Sequence, residues 1–173
     1  MAVTYKLIET VTVGSGGAAS IAFSSIPQTY TDLQLVVSGR STQSNPGYAR
    51  FALLMSFNGS SSNFTGRDVL GSAATVGSTT VSTGRVGFIN ANDATANTFS
   101  STSITIPNYT GSTNKSFSTD FATENNNGSE YSLGLVAGLW SITSAITALS
   151  LSIDIGYNFA QYSSASLYGI KNS

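Results

Sequence analysis

The chain has 173 residues, a formal net charge of −1 and only 9% charged residues, so no basic field is available to hold nucleic acid or an anionic membrane. It contains no cysteine and no histidine, which excludes disulfides, thiolate chemistry and the Ser-His-Asp arrangement. We therefore expect a protein that is not an enzyme and has no cofactor or metal, stabilised by packing and backbone hydrogen bonds alone.

Alternation of apolar and polar residues with a period of two predicts strands along the first part of the chain. These strands cover residues 5–13, 19–25, 32–41 and 50–57, with Leu33, Leu35, Val37, Phe51, Leu53, Met55 and Phe57 facing the core. Residues 41–49 predict a loop because they contain Asn45-Pro46-Gly47. Residues 60–84 are mostly Ser, Thr, Ala and Gly, and we expect a long loop there, with one weak strand near residues 79–81.

The second part of the chain predicts strands at residues 86–90, 101–107, 116–123, 133–140, 148–155 and 165–170. Their core-facing residues are predicted to be Val86, Phe88, Asn90, Ile104, Ile106, Phe117, Phe121, Leu133, Leu135, Ala137, Leu139, Leu149, Leu151, Ile153 and Ile155. Residues 125–128 predict a tight turn. No segment combines helical spacing of apolar residues with caps at both ends.

Eight to ten short strands separated by frequent turn signals are typical of sandwiches and jelly rolls. The sequence therefore predicts an all-β fold, an antiparallel β-sandwich of jelly-roll-like form without substantial helix. We expect one domain that covers residues 1–173.

Three groups of residues could carry chemistry, and each has a simpler interpretation that we prefer. Asp120 and Glu124 could form a catalytic carboxylate pair, but Asp120 is predicted to face solvent. Residues 90–93 (Asn-Ala-Asn-Asp) could bind calcium, although such sequences are common in turns. Trp140 with Tyr131, Tyr157 and Tyr162 could form a sugar platform, but packing within the sandwich is the interpretation we favour for Trp140.

An ordered set of segments carries a resemblance over most of the chain. It comprises SIAFSSIPQTYTDLQLVVSGR, FNGSSSNFTGRDVLG, ATANTF, IPNYTGSTNKSFS, GLWSITSAITALSL and NFAQYSSASLYGI. In this order they resemble a family of small all-β virion structural proteins of tailed, often aquatic, bacteriophages. Members of that family either coat the capsid or are associated with the tail.

The resemblance implies a capsid decoration (cement) protein that binds and stabilises the shell of the major capsid protein. It also implies a homotrimer on the outer capsid surface of the virion, made in the host cytoplasm because the N-terminus lacks signal-peptide character. The alternative is a tail-associated module that binds a receptor or a glycan. For either role we expect contacts at Tyr48, Tyr109, Asn125 and Trp140, which lie in or beside neutral loops and turns.

Overall fold

The structure is a computed structural model and describes residues 4–72, 75–125 and 131–171. Within these ranges it contains twelve strands and one 3-10 turn, Asp154–Gly156. The strands are β1 (Thr4–Thr12), β2 (Ser20–Phe23), β3 (Asp32–Gly39), β4 (Arg50–Phe57), β5 (Phe64–Ser72), β6 (Thr75–Val81), β7 (Arg85–Asn90), β8 (Ser100–Ile106), β9 (Lys115–Ala122), β10 (Ser132–Trp140), β11 (Leu149–Ile153) and β12 (Ser164–Lys171). No helix long and apolar enough to cross a lipid bilayer occurs in the described ranges.

The strands form two antiparallel sheets, which confirms the predicted all-β sandwich. Among the described residues, the large sheet has the order β1-β12-β3-β8-β9-β10-β5-β6 and the small sheet the order β2-β11-β4-β7. The chain crosses between the sheets repeatedly, from β2 to β3, from β3 to β4 and from β4 to β5, as in a jelly roll. The strands outnumber the eight to ten that we expected, because residues 60–84 contain two more.

The core lies between the two sheets and is built from the alternating residues that the sequence indicated. In the large sheet, Leu33 and Leu35 are fully buried, and in the small sheet Leu53 and Phe57 are fully buried. The predicted inward positions of Ile104, Ile106, Phe117, Phe121, Leu149, Leu151 and Ile153 are confirmed in the same way. Apolar side chains from both inner faces therefore form one contiguous cluster.

The prediction of a long loop over residues 60–84 is wrong, because this segment forms β5 and β6. The weak strand predicted near residues 79–81 is confirmed as the end of β6. β5 pairs along its whole length with β10, and β6 pairs with β5. Every residue of β6 except Val81 is exposed. A strand held by ladder hydrogen bonds without a buried face needs no apolar alternation, so the usual sequence signal is missing.

The predicted core face of β10 is the reverse of the observed one. Leu133 and Leu135 are 60% and 59% exposed, whereas Val136 and Trp140 are buried. The cause is steric: a Cβ on Gly138 would lie 2.0 Å from Cζ of Phe117, and that ring therefore covers the inner face of β10. Gly134 and Gly138 face Phe121 and Phe117 directly across the strand pair, so the inner face has no room for the leucines.

The strand predicted over residues 148–155 ends early, at Ile153. The chain then enters the 3-10 turn, in which Ile155 has φ 62° and ψ 6°. The side chain of Ile155 is 77% exposed, so its predicted inward position is wrong. In the sequence, the apolar alternation continues beyond Ile153, where β11 ends. Alternation alone therefore does not show where this strand ends.

Candidate functional site

Three of the four predicted contact residues are buried. Tyr109 is 0%, Asn125 1% and Trp140 2% exposed, whereas Tyr48 is 61% exposed. Surface contact through the side chains of Tyr109, Asn125 and Trp140 is therefore wrong for this structure. Tyr48 lies in the loop before β4 and stays a predicted contact residue.

The buried members have structural partners. The indole Nε1 of Trp140 donates a hydrogen bond to the carbonyl of Ser62 at 3.2 Å, and the Trp140 ring lies 5.3 Å from that of Phe57. This confirms packing as the role of Trp140. The hydroxyl of Tyr109 donates to the carbonyl of Pro27, and burial raises the pKa of this phenol. Asn125 precedes the rest of its predicted turn, which lies outside the described residues.

A buried arginine binds the carbonyl of Asn92, one of the residues considered for calcium, together with carbonyls of the loop that follows. The Arg40 guanidinium, only 7% exposed, donates to the carbonyls of Asn92, Ala94, Thr95 and Thr98 at 2.8–2.9 Å. These backbone oxygens already have a charged donor, so the turn interpretation of residues 90–93 accounts for them. In the described part of the chain, no group of three or more His, Cys, Asp or Glu residues could hold a metal ion.

A second buried cation, Lys115, also donates to backbone carbonyls of loops. Lys115 is 1% exposed, and its ammonium donates to the carbonyl of Gly111 at 2.6 Å and to that of Thr143 at 3.3 Å. Burial lowers the pKa of Lys115. Both cations thus satisfy backbone carbonyls in loops, which gives them a structural role.

Asp120, one of the two carboxylates considered as a catalytic pair, lies on the outer face of the large sheet. Its cross-strand neighbours are Leu135 on β10 and Ser103 on β8. Neither neighbour is titratable, and Asp120 is exposed. The structure therefore gives Asp120 the solvent-facing position that the sequence predicted.

The outer face of the large sheet carries a continuous apolar area, which we call the outer patch. Its members are Leu133, Leu135 and Leu139 on β10, Val69 on β5 and Val76 on β6, which are between 36% and 80% exposed. The strand register places them side by side: Leu135 lies opposite Val69, and Leu133 and Val76 both lie opposite Gly71. β6 and β10 carry no charged residue. Exposed Arg67, opposite Ala137, and exposed Asp120, opposite Leu135, place one charge of each sign at the border of the patch.

A second surface lies on the outer side of the small sheet, and we call it the Tyr48 cleft. It encloses about 350 Å³ and is lined chiefly by Asn45, Tyr48, Arg50, Phe88, Asp154 and Ile155. Phe88 reaches it because a bulge near Gly87, which has φ 135°, interrupts the pairing of β4 with β7. Val86 and Ile89 consequently face the core, and the prediction that Val86 and Phe88 share a face is wrong.

Beside this cleft, an ion pair holds β5 against β7. Arg85 donates to the Asp68 carboxylate, and the amide of Thr79 donates to the same carboxylate at 3.0 Å. Burial alone would raise the pKa of Asp68, but the hydrogen bonds from Thr79 and the charge of Arg85 outweigh it and hold that pKa below its ordinary value. The guanidiniums of Arg50 and Arg85 lie 5.1 and 5.3 Å from the centroid of the Phe88 ring.

Sequence reasoning named two residues that line the cleft, Tyr48 as a contact residue and Tyr157 as part of a sugar platform, and missed Arg50, Phe88, Asp154 and Ile155. The apolar alternation in the sequence continues through the bulge at Phe88 and the turn at Ile155. In the structure, the bulge and the turn change the side to which these two residues point. The available signal was Arg50, a rare charge two residues after Tyr48.

Comparison with known proteins adds no assignment. No model of a protein family matches the chain. No curated protein is significantly similar to it.

Proposed function

We propose that the chain is a structural protein of a tailed-bacteriophage virion that decorates the capsid by binding the shell of the major capsid protein. The observation that carries this proposal is the outer patch. Leu133 and Leu135 are exposed on a central strand of a regular sheet, where a monomeric protein usually has polar residues. The resemblance of the sequence to small phage virion proteins supplies the biological setting.

The chemistry of the patch suits a contact that is repeated many times on one particle. Burial of apolar side chains is favourable, and hydroxyl groups cost less to desolvate than charges do. A trimer with three such patches, as the resemblance implies, would gain strength through multivalency although each contact is weak. Catalysis has no part in this proposal.

The test is binding of the recombinant chain to purified expanded capsids that lack it. We expect saturable co-sedimentation, which the double substitution Leu133→Glu with Leu135→Glu weakens at least about tenfold, because charges would then face an apolar contact. Ala22→Glu is the matched control: Ala22 is exposed on β2 of the small sheet, and the variant should bind like the unchanged chain.

Failure to bind, or binding that the leucine variant retains in full, contradicts the proposal. Immunogold labelling of intact virions gives an independent readout of location and copy number. Label confined to the tail would replace capsid decoration with the tail-associated alternative. Sedimentation analysis of the free chain tests the expected trimer separately.

A further inference from the structure

The Tyr48 cleft combines features that the folding of the chain does not require. Ile155, a β-branched residue, has φ 62°, a conformation that clashes with its own side chain. Its side chain is 77% exposed, so it gains little from packing in return. Strain of this kind, held at the rim of a cleft by the surrounding structure, is typical of binding sites.

The opposite wall of the cleft also contains a non-glycine residue with positive φ. Ala49 has φ 44° and is fully buried, and it directly follows Tyr48. The amides of Tyr48 and Ala49 both donate to the carbonyl of Asn45 at 3.0 Å, which fixes this turn. Two strained positions thus hold Tyr48 and Ile155 on either side of the cleft, with both side chains largely exposed.

The floor of the cleft is preorganised by packing. Tyr157 packs edge-on against Phe51 with ring centroids 4.9 Å apart. Arg50 lies over the Phe88 ring and donates to the hydroxyl of Ser72 at 3.2 Å. A ligand would therefore meet rigid walls, which lowers the entropy lost on binding.

Asp154 adds a carboxyl group to the wall of the cleft. It lines the cleft, and its Oδ1 is buried without a hydrogen-bond partner among the described residues. Burial raises the pKa of this carboxyl although the backbone amides of Ala52 and Asp154 donate to it, and a ligand hydroxyl would add a further donor.

We propose that the Tyr48 cleft binds a neutral saccharide, with one sugar ring against Tyr48 and its hydroxyls shared between Arg50 and Asp154. A sugar presents an apolar C–H face to an aromatic ring and hydroxyls that both donate and accept, which matches one guanidinium, one carboxylate and the Asn45 amide. Arg50 and the Asn45 amide already donate within the chain, but an acyl chain would add no hydrogen bond to the cleft, and a phosphate would be repelled by the Asp154 carboxylate. About 350 Å³ lies at the lower end of the range for small-molecule sites.

This inference does not depend on the virion role, because no residue of the outer patch lines the cleft. The experiment is saturation-transfer NMR of the full chain with glucose, galactose, mannose and N-acetylglucosamine at millimolar concentration. We expect transfer to at least one sugar, lost with Tyr48→Ala and reduced about tenfold in affinity with Asp154→Asn. Tyr162, which is 69% exposed and outside the cleft, supplies the control Tyr162→Ala, which should keep the signal.

Ile155→Gly separates binding from folding. Glycine adopts positive φ without strain, so the melting temperature should rise while sugar affinity falls, because the exposed side chain is lost. The proposal is overturned if no sugar in the panel shows transfer, if Tyr48→Ala binds like the unchanged chain, or if Ile155→Gly lowers the melting temperature. Should Tyr48→Ala fail to fold, chemical-shift changes of the unchanged chain decide: they must centre on Tyr48, Arg50 and Asp154.

Discussion

The two faces of β10 differ in the size and the exposure of their residues. On the inner face, Gly134 and Gly138 leave room for the rings of Phe121 and Phe117, and Trp140 closes the core. On the outer face, Leu133 and Leu135 project from the sheet. On β10, glycines thus lie on the tightly packed inner face, and large apolar residues lie on the solvent-exposed outer face.

The difference separates what folding requires from what it does not. Contacts within the chain explain Gly134, Gly138 and Trp140 on the inner face, because neighbouring rings limit the space at each position. The exposed leucines have no comparable explanation within the described residues. An apolar side chain at such a position costs little in the folded monomer but favours contact with another molecule, and substitutions on each face should reveal this asymmetry.

The largest effect is expected from Gly138→Ala on the inner face. The new methyl group would lie 2.0 Å from Cζ of Phe117, and that ring cannot retreat because it packs against Phe57 and Phe64. We expect the free energy of unfolding to fall by about 3 kcal/mol, measured by urea denaturation. The matched control is Gly77→Ala in β6, where a Cβ meets nothing within 4 Å; equal losses in both variants would contradict the steric account of β10.

A smaller effect, with a distinct pH dependence, is expected from Asp68→Asn on the inner face of β5. The pKa of Asp68 is lowered in the folded state, so the carboxylate stabilises the fold above its unfolded pKa near 3.8. That contribution is lost as the pH falls through the folded pKa. We expect Asp68→Asn to cost about 2 kcal/mol at neutral pH.

Urea denaturation between pH 7 and pH 3 tests this sign. The stability difference between the unchanged chain and Asp68→Asn should shrink as the solution is acidified. A difference that stays constant with pH would show that the ion pair with Arg85 is not the source of the stabilisation.

The sequence was sufficient for the fold class because most strands bury one face. β3, β4 and β9 each alternate so regularly that their inward residues could be named. β5 and most of β6 could not be predicted, since β5 is held by pairing with β10 and β6 by pairing with β5, and both bury few side chains. For β10 itself the alternation was correct but ambiguous, because a period of two says nothing about which of two apolar faces is inside.

The candidate surfaces were harder to predict for the same reason. Aromatic residues near turns suggested contact sites, yet Tyr109 and Trp140 are the residues that fasten those turns to the core. Ile155 and Phe88 reach the cleft because the backbone departs locally from a regular strand. Such departures depend on how strands pair in the folded protein, which a single sequence does not show. The outer patch followed only once the position of Phe117 over Gly138 was known.

The smallest effect on stability is expected from Leu135→Ser on the outer face of β10. Because Leu135 is 59% exposed, its loss should change the free energy of unfolding by no more than about 0.5 kcal/mol. Val136→Ala, the adjacent residue on the buried face, should cost about 2 kcal/mol. Urea denaturation of both variants at low and high protein concentration makes the comparison, since a contact between copies stabilises the fold only when copies associate. A cost for Leu135→Ser that appears only at high concentration would assign the leucine to self-association, and an equal cost for the two variants at low concentration would mean that Leu135 is packed within the monomer.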